Sequence, residues 1–304
     1  MNQDRPVRTG RGVACGKAIL LGEHAVVHGF PAVAVGFENG IEAVASAAKG
    51  PVALTVDEWN LCVSVSDDTP HGRAAAAMLE AAGLPLENAR IVLHARIPPR
   101  AGLGASAAMA TAVLRSLSDL FERPLSTEAL FDAAQASEKI FHENPSGLDA
   151  AMAIHGGIAR FSRSVGVSAI PSAPLKLRVV HSGAPKDTAR SVARFAARMA
   201  ASPAEAERRL VRIGEIVEAG IAAIAKGDTA MLGGLMVENH EHLGWFDVST
   251  PALDHLVRTA LDAGAVGAKL TGGGGGGCAV VLLSEHEESV VQALRREGFE
   301  TVAV

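Results

Sequence analysis

The chain contains no tyrosine and only two tryptophans among its 304 residues. So thin an aromatic supply cannot build the stacking platform with which proteins grip single-stranded nucleic acid. Positive charge is not in excess either: 28 lysines and arginines face 33 aspartates and glutamates, a formal net charge of −5. That balance gives no global attraction to nucleic acid or an anionic bilayer, although it leaves room for a local basic pocket. Cysteine is scarce, and Cys15, Cys62 and Cys278 are far apart and odd in number. They make neither a disulfide framework nor a CxxC metal motif, and predict reduced thiols in a cytoplasmic protein. No apolar run reaches the roughly 18 residues of a membrane-spanning helix. The polar stretch Met1–Arg11 predicts no secretory signal.

What is present is a normal hydrophobic supply, 48% of residues, with 20% charged. It is enough for a substantial core in one large domain or two ordinary ones. Residues 13–37 read as strand, turn, strand, and 41–47, 52–56 and 61–65 as further strands. An alanine-rich helix is expected over 72–82, capped by Gly83, followed by a strand over 90–97 that stops at Pro98-Pro99. One helix should follow Gly102-Leu103-Gly104-Ala105-Ser106 to about Leu120, and another Ser126 to about His142, where Asn144-Pro145 ends it. After Gly156-Gly157 the chain reads as strand again. Pro171-Ser172-Ala173-Pro174 is the best boundary, dividing 1–172 from 173–304. Beyond it come a strand (175–181), helices near 187–199, 203–226, 228–241 and 250–263, strands at 265–270 and 278–284, a helix at 285–297 and a terminal strand. The expectation is two α+β domains with helices on one side of each sheet.

Four segments could carry chemistry. Thr271 precedes six consecutive glycines, 272–277, between two apolar stretches. A tight turn needs one or two glycines; six fit a backbone that closes on a ligand with its N–H groups turned inward, or a loose hairpin. Pro98-Pro99-Arg100-Ala101-Gly102-Leu103-Gly104-Ala105-Ser106-Ala107-Ala108 joins a strand to a helix, and such a helix start is an anion site. Ser106 there can cap the helix or touch a metal on a phosphate. Glu138 and Asp149, separated by a proline–glycine turn, could serve as metal ligand and base, or be solvated charges. Finally, Lys17 and Glu23-His24 interrupt otherwise apolar strands, and such polar groups need a partner or a function. Arg11 and Ala18 stand where a P-loop requires glycine and Ser/Thr. His240, His242 and His255 lack HExxH spacing, and His240 with His242 are read as surface or substrate-pocket residues rather than zinc ligands.

Together, Gly16-Lys17 through Gly22-Glu23-His24-Ala25-Val26-Val27-His28-Gly29, then Gly102-Leu103-Gly104-Ala105-Ser106, then the glycine run resemble the GHMP kinase superfamily, in its order and over residues 12–282. Within it they are most similar to the mevalonate kinase family. Asn144-Pro145-Ser146-Gly147-Leu148-Asp149 and Lys269-Leu270-Thr271-Gly272 add to the likeness. The resemblance implies an α+β, two-domain GHMP kinase fold, with a ribosomal-S5-like N-terminal ATP-binding and catalytic domain and a ferredoxin-like C-terminal domain on the substrate side. It implies phosphorylation of the primary hydroxyl of mevalonate by ATP, with Mg²⁺ as cofactor and a homodimer as a common assembly. Asp149 is then the base, with Lys17 beside it stabilising the developing alkoxide. Glu23, His24, Ser146, Gly272 and Gly273 face the substrate. Pro98, Gly102, Leu103, Gly104, Ala105, Ser106, Ala107 and Thr188 hold ATP, while Ser106 and Glu138 hold the metal. The chain departs from the family's usual pattern at Cys15 for proline, Ala105 for serine, Gly273 for alanine and Phe246-Asp247 for Leu-Gly. The last puts substrate identity in question. Another small alcohol, or a silent nucleotide-binding role, is the competing expectation.

Overall fold

The computed structural model describes residues 8–99, 101–141, 145–285 and 287–302. Two compact units emerge, one formed by 1–16, 37–98 and 104–156, the other by 17–36, 99–103 and 157–304. This division differs from a cut at 172/173 in three segments: 17–36, 99–103 and 157–172. Among the described residues no helix is long and apolar enough to cross a membrane.

Two long strands, β1 (Thr9–Leu21) and β2 (Ala32–Pro51), contribute residues to both units. In the first unit, β2 pairs antiparallel with β5 (Glu87–Ala95), from Ile41↔Ala95 to Ala47↔Ala89. β3 (Ala53–Val56) runs parallel to β5 and antiparallel to β4 (Leu61–Ser64). β5 buries Ala89, Ile91, Leu93 and Ala95 while Arg90, Val92 and His94 point outward, so one sheet face is wet and the other covered. The unit's helices are α1 (Pro70–Ala81), α2 (Ala105–Leu120), α3 (Thr127–Phe141) and α4 (Leu148–His155). α2 packs on β5, α3 and α4.

In the second unit, residues 32–36 of β2 pair with β6 (Gly157–Ser162), and β6 with β7 (Gly166–Ala169). A separate antiparallel sheet has the order β11-β8-β10-β9, made of β8 (Leu177–His181), β9 (Gly267–Leu270), β10 (Cys278–Leu282) and β11 (Glu300–Val302). Every residue of β9 and β10 is buried. Five helices complete the unit: α5 (Thr188–Ala201), α6 (Pro203–Lys226), α7 (Thr229–Trp245), α8 (Pro251–Asp262) and α9 (Glu287–Arg296).

Three differences from the sequence reading have physical causes. The strand expected at 41–47 is the middle of β2, whose partner changes from β6 to β5 across Gly36–Gly40. The turn in 13–37 contains a short 3₁₀ helix, Ala25–His28. α4 was not expected at all: Leu148 and Ala150 to Ile154 are all buried, which leaves no 3.6-residue alternation to read. The helix end expected at Asn144 lies outside the described residues.

Close packing at glycine fixes where α7 meets β9. A Cβ on Gly233 would stand 2.2 Å from the Val266 carbonyl oxygen, and one on Gly267 2.5 Å from the Gly233 Cα. Gly234, the next residue, has open space around it. Gly233→Ala should therefore destabilise the protein by roughly 1–3 kcal/mol through overpacking. Gly234→Ala should stabilise it by up to about 1 kcal/mol through helix propensity. Denaturant unfolding of both variants checks this; equal effects at the two positions would contradict the contact.

Candidate active site

The chain leaves β1 through Gly22-Glu23-His24 in an unusual turn. The Ala25 N–H donates to the Glu23 carbonyl at 2.7 Å, and His24 between them has φ 60° and ψ −46°. That is the rare, strained form of the γ-turn, a conformation that persists only where the surroundings over-determine it. Here they do. The Gly22 N–H donates to Asn239 Oδ1 at 3.0 Å. Glu23, 1% exposed, accepts from the ammonium of Lys269, which is itself fully buried and also donates to the Leu270 carbonyl at 2.8 Å. Burial pushes the Glu23 carboxyl up and the Lys269 ammonium down, and each holds the other charged against that pressure. The His24 ring meets the Gly273 carbonyl oxygen through Nε2 at 3.0 Å. Burial drops its pKa to about 4, outweighing the pull of that carbonyl. At neutral pH the ring is uncharged, and because a carbonyl can only accept, the proton sits on Nε2 and Nδ1 is left as an acceptor.

Thr271 clamps β1 to the glycine run: its hydroxyl accepts from the Ile19 N–H at 2.8 Å and donates to the Ile19 carbonyl at 3.1 Å. Five of the six glycines divide by role. Gly274, Gly275 and Gly276 have positive φ, and a Cβ on any of them would meet protein backbone, at Val248, Asp187 and Pro185, within 2.6 Å. Their smallness serves the protein's own packing. Gly272 and Gly273 have no backbone that close, and among the described residues their N–H groups find no acceptor. These two fit the close approach of a ligand. Around them stand Thr188, whose Cγ2 lies 3.0 Å from the Cβ position of Gly273, and Lys186, whose Nζ lies 3.5 Å from that of Gly272. The Lys17 ammonium, 6% exposed, donates to the Gly102 carbonyl at 3.2 Å, and its N–H to the Leu103 carbonyl at 2.9 Å. The second unit thus assembles Lys17, Glu23, His24, Gly102, Leu103, Thr188, Gly272 and Gly273.

The first unit holds the remaining candidates, Pro98, Gly104, Ala105, Ser106, Ala107, Glu138, Ser146 and Asp149. α2 begins after Gly104, in left-handed conformation at φ 70°, with no side chain capping it. The first helical bond is Ala108 N–H to the Gly104 carbonyl, so among the described residues the N–H groups of Ala105, Ser106 and Ala107 remain open, as an anion site requires. Ser106 does not cap: its Oγ is buried and makes no hydrogen bond among the described residues. Glu138, 5% exposed, is a buried carboxylate on α3 rather than a solvated charge. An orphaned buried hydroxyl and a buried carboxylate are oxygen donors of the kind magnesium takes alongside phosphate oxygens. Among the described residues no group of three or more His, Cys, Asp or Glu side chains forms a self-sufficient metal site. Asp149 lies in the first turn of α4, where the helix dipole favours a carboxylate. Ser146 Oγ accepts from the Leu148 N–H at 3.3 Å at that helix start.

Lys269 and Lys186 were missed as site residues. Lys269 entered the sequence reading only within the Lys269-Leu270-Thr271-Gly272 likeness, with no role of its own, and Lys186 has no signal beyond its place before Thr188. His240 is structural: its Nδ1 accepts from the Leu270 N–H, and Nε2 faces Asp254 at 3.3 Å. Phe246 is fully buried in the core, not in a pocket wall, and Asp247 after it has φ 61°, which explains why glycine suits that position. Burial lifts the Cys278 thiol to about 12, so it is no reactive thiolate.

Comparison with known proteins shows the family. The GHMP kinases N terminal domain matches residues 71–157 and the GHMP kinases C terminal domain matches 221–300. The chain is 34% identical to a mevalonate kinase of Aeropyrum pernix over 87% of its length and 86% of that protein's. It is 32% identical to a mevalonate kinase of Thermococcus sibiricus, covering 93% and 91%. It superposes on the structure of L. major mevalonate kinase in complex with R-mevalonate with a TM-score of 0.85 at 30% identity, covering 97% of this chain and 94% of that one. With the lysine-bearing strand, the open helix start and the glycine run all in family order, the chain belongs to the GHMP kinases and has their two-domain fold.

Proposed function

We propose that the chain transfers the γ-phosphoryl group of ATP to the primary hydroxyl of mevalonate, giving 5-phosphomevalonate. The relatives and the mevalonate-bound structure support the substrate. The observation that carries the phosphoryl-transfer chemistry is the uncapped start of α2, with three open N–H groups and the orphaned Ser106 hydroxyl in its first turn.

Each residue has a role that its chemistry supports. The N–H groups of Ala105, Ser106 and Ala107 receive triphosphate oxygens, and Ser106 and Glu138 hold Mg²⁺. When bound, the metal neutralises charge on the phosphates. Asp149 takes the proton of the substrate hydroxyl as its oxygen forms the new bond to the γ-phosphorus. The bond from that phosphorus to the β-phosphate bridging oxygen breaks in line, and ADP leaves with the electron pair. Lys17 stabilises the negative charge on the attacking oxygen. The Gly272 and Gly273 N–H groups donate to the transferring group, and His24, neutral and with Nδ1 open, accepts from the substrate. Such a site works by positioning and preorganised charge rather than by covalent chemistry.

ADP release should be strong with mevalonate and absent with phosphomevalonate, galactose and homoserine. Asp149→Asn should keep its fold and nucleotide affinity and lose about 10²–10⁴-fold in turnover. Near-normal turnover in that variant would remove Asp149 from the role, and a response to another alcohol would move the substrate. Ser106→Ala should leave the melting temperature unchanged, because the hydroxyl has no internal partner to lose. It should raise the Mg²⁺ concentration for half-maximal rate about tenfold, the scale of one interaction with a charged group; an unchanged metal dependence would contradict the assignment.

A further inference from the structure

Two aromatic rings stand behind His24 in series. Phe195 stacks on the His24 ring with centroids 4.7 Å apart and planes 13° from parallel. Phe246 in turn stacks on Phe195 at 4.2 Å and 24°. Both phenylalanines are buried, at 3% and 0% exposure. Neither has a polar atom, and neither has been given a part in the chemistry.

The series is anchored at both ends. Phe195 and Ser191 are one turn apart on α5, and so share a face. Ser191 Oγ donates at 2.6 Å to the Gly273 carbonyl oxygen, the same atom that His24 Nε2 meets. α5 therefore fixes both the plane of the imidazole and the acceptor that selects its tautomer. At the other end, Trp245 meets Phe246 edge-on, at 5.0 Å and 87°. The Trp245 carbonyl accepts from Arg198 Nε at 2.9 Å, and the guanidinium groups of Arg198 and Arg209 lie 5.1 Å and 4.8 Å from its ring centroid. Just past Phe246, the Val248 carbonyl accepts from the Gly275 N–H at 2.8 Å. The end of α7 thus touches His24 by two routes, through the rings and through the glycine run.

We infer that Phe195 and Phe246 are positioning residues that hold the His24 ring in one plane and one tautomer, with Nδ1 presented as the acceptor for the substrate. The part concerning substrate rests on the function proposed above; the part concerning the ring does not. Aromatic stacking supplies what hydrogen bonding alone cannot. A single bond at Nε2 lets the imidazole rotate about that contact, whereas a parallel neighbour fixes its plane. The strained γ-turn at His24 makes this support useful, since the turn's own hydrogen bonds hold its backbone and leave the ring plane unset. The charged and titratable groups facing the ring are His28 from the same turn, Lys186 before α5 and Lys269 on β9. Each of them, when positively charged, opposes a second proton on it.

Phe246→Leu keeps an apolar side chain in the core and removes the outer ring of the stack. ¹⁵N NMR of the full-length protein reads the His24 nitrogens directly. In the parent protein Nε2 carries the proton and Nδ1 does not; in Phe246→Leu the two signals should move toward each other as the ring exchanges. The KM for mevalonate should rise roughly two- to tenfold, the size of one lost aromatic pair, with kcat and the KM for ATP nearly unchanged. Should that variant not fold, Phe195→Leu poses the same question one ring closer, and Phe195→Tyr, which keeps the stack, should restore the parent behaviour. Unmoved His24 nitrogens in a folded variant would overturn the inference. So would a loss shared equally by kcat and both KM values. Absence of any mevalonate turnover in the parent protein would instead refute the substrate assignment, and the nitrogen signals would still test the positioning.

Discussion

Everything placed around His24 depends on one ion pair that water never reaches. Glu23 and Lys269 lie 246 positions apart in sequence and both have fully buried side chains. Burying two charges is expensive, and their attraction offsets the cost only when the geometry is good and the remaining polar atoms are satisfied. Here the satisfaction is incomplete: Glu23 Oε2 is buried with no hydrogen bond among the described residues. Such a pair is weak evidence of stability and better evidence of specification. It fixes the entry to the γ-turn against β9, immediately before the glycine run. Asn239 on Gly22 and Thr271 on Ile19 repeat the same link with neutral groups.

The glycine run shows how one segment meets two demands. Its later residues are glycine because the chain folds back on Val248, Asp187 and Pro185 with left-handed dihedrals. Its first two keep their N–H groups open. Rigidity behind and openness in front are the conditions for preorganised donors, which stabilise developing charge without reorganising. A loose hairpin would supply the second and not the first.

Much of the site was legible because chemistry-bearing residues interrupt local patterns. Lys17 and Glu23-His24 break apolar strands, and Gly102 to Ser106 break a strand from a helix. Glu138 was less legible, since an acidic residue near a helix end is usually solvated, and only packing of α3 reveals it as buried. Lys269 was legible only as part of a family-like lead-in to the glycine run: what makes it special is a carboxylate far away in sequence, and long-range partners are not visible from one chain's pattern. Phe246 stood out as a departure that put substrate identity in question; it fills the core and reaches the site through Phe195. The architecture of strands and helices followed from periodicity, except at α4, where uniform burial erases the period.

The most direct test of the central claim is a double-mutant cycle on the buried pair, with unfolding free energy and the KM for mevalonate measured for each protein. Lys269→Met alone should cost roughly 3–5 kcal/mol by stranding a buried carboxylate. Adding Glu23→Gln should recover most of that stability but not the substrate affinity, because the turn has lost its charged anchor. Additive losses in stability, or a Lys269→Met protein as stable and as tight for mevalonate as the parent, would contradict the account.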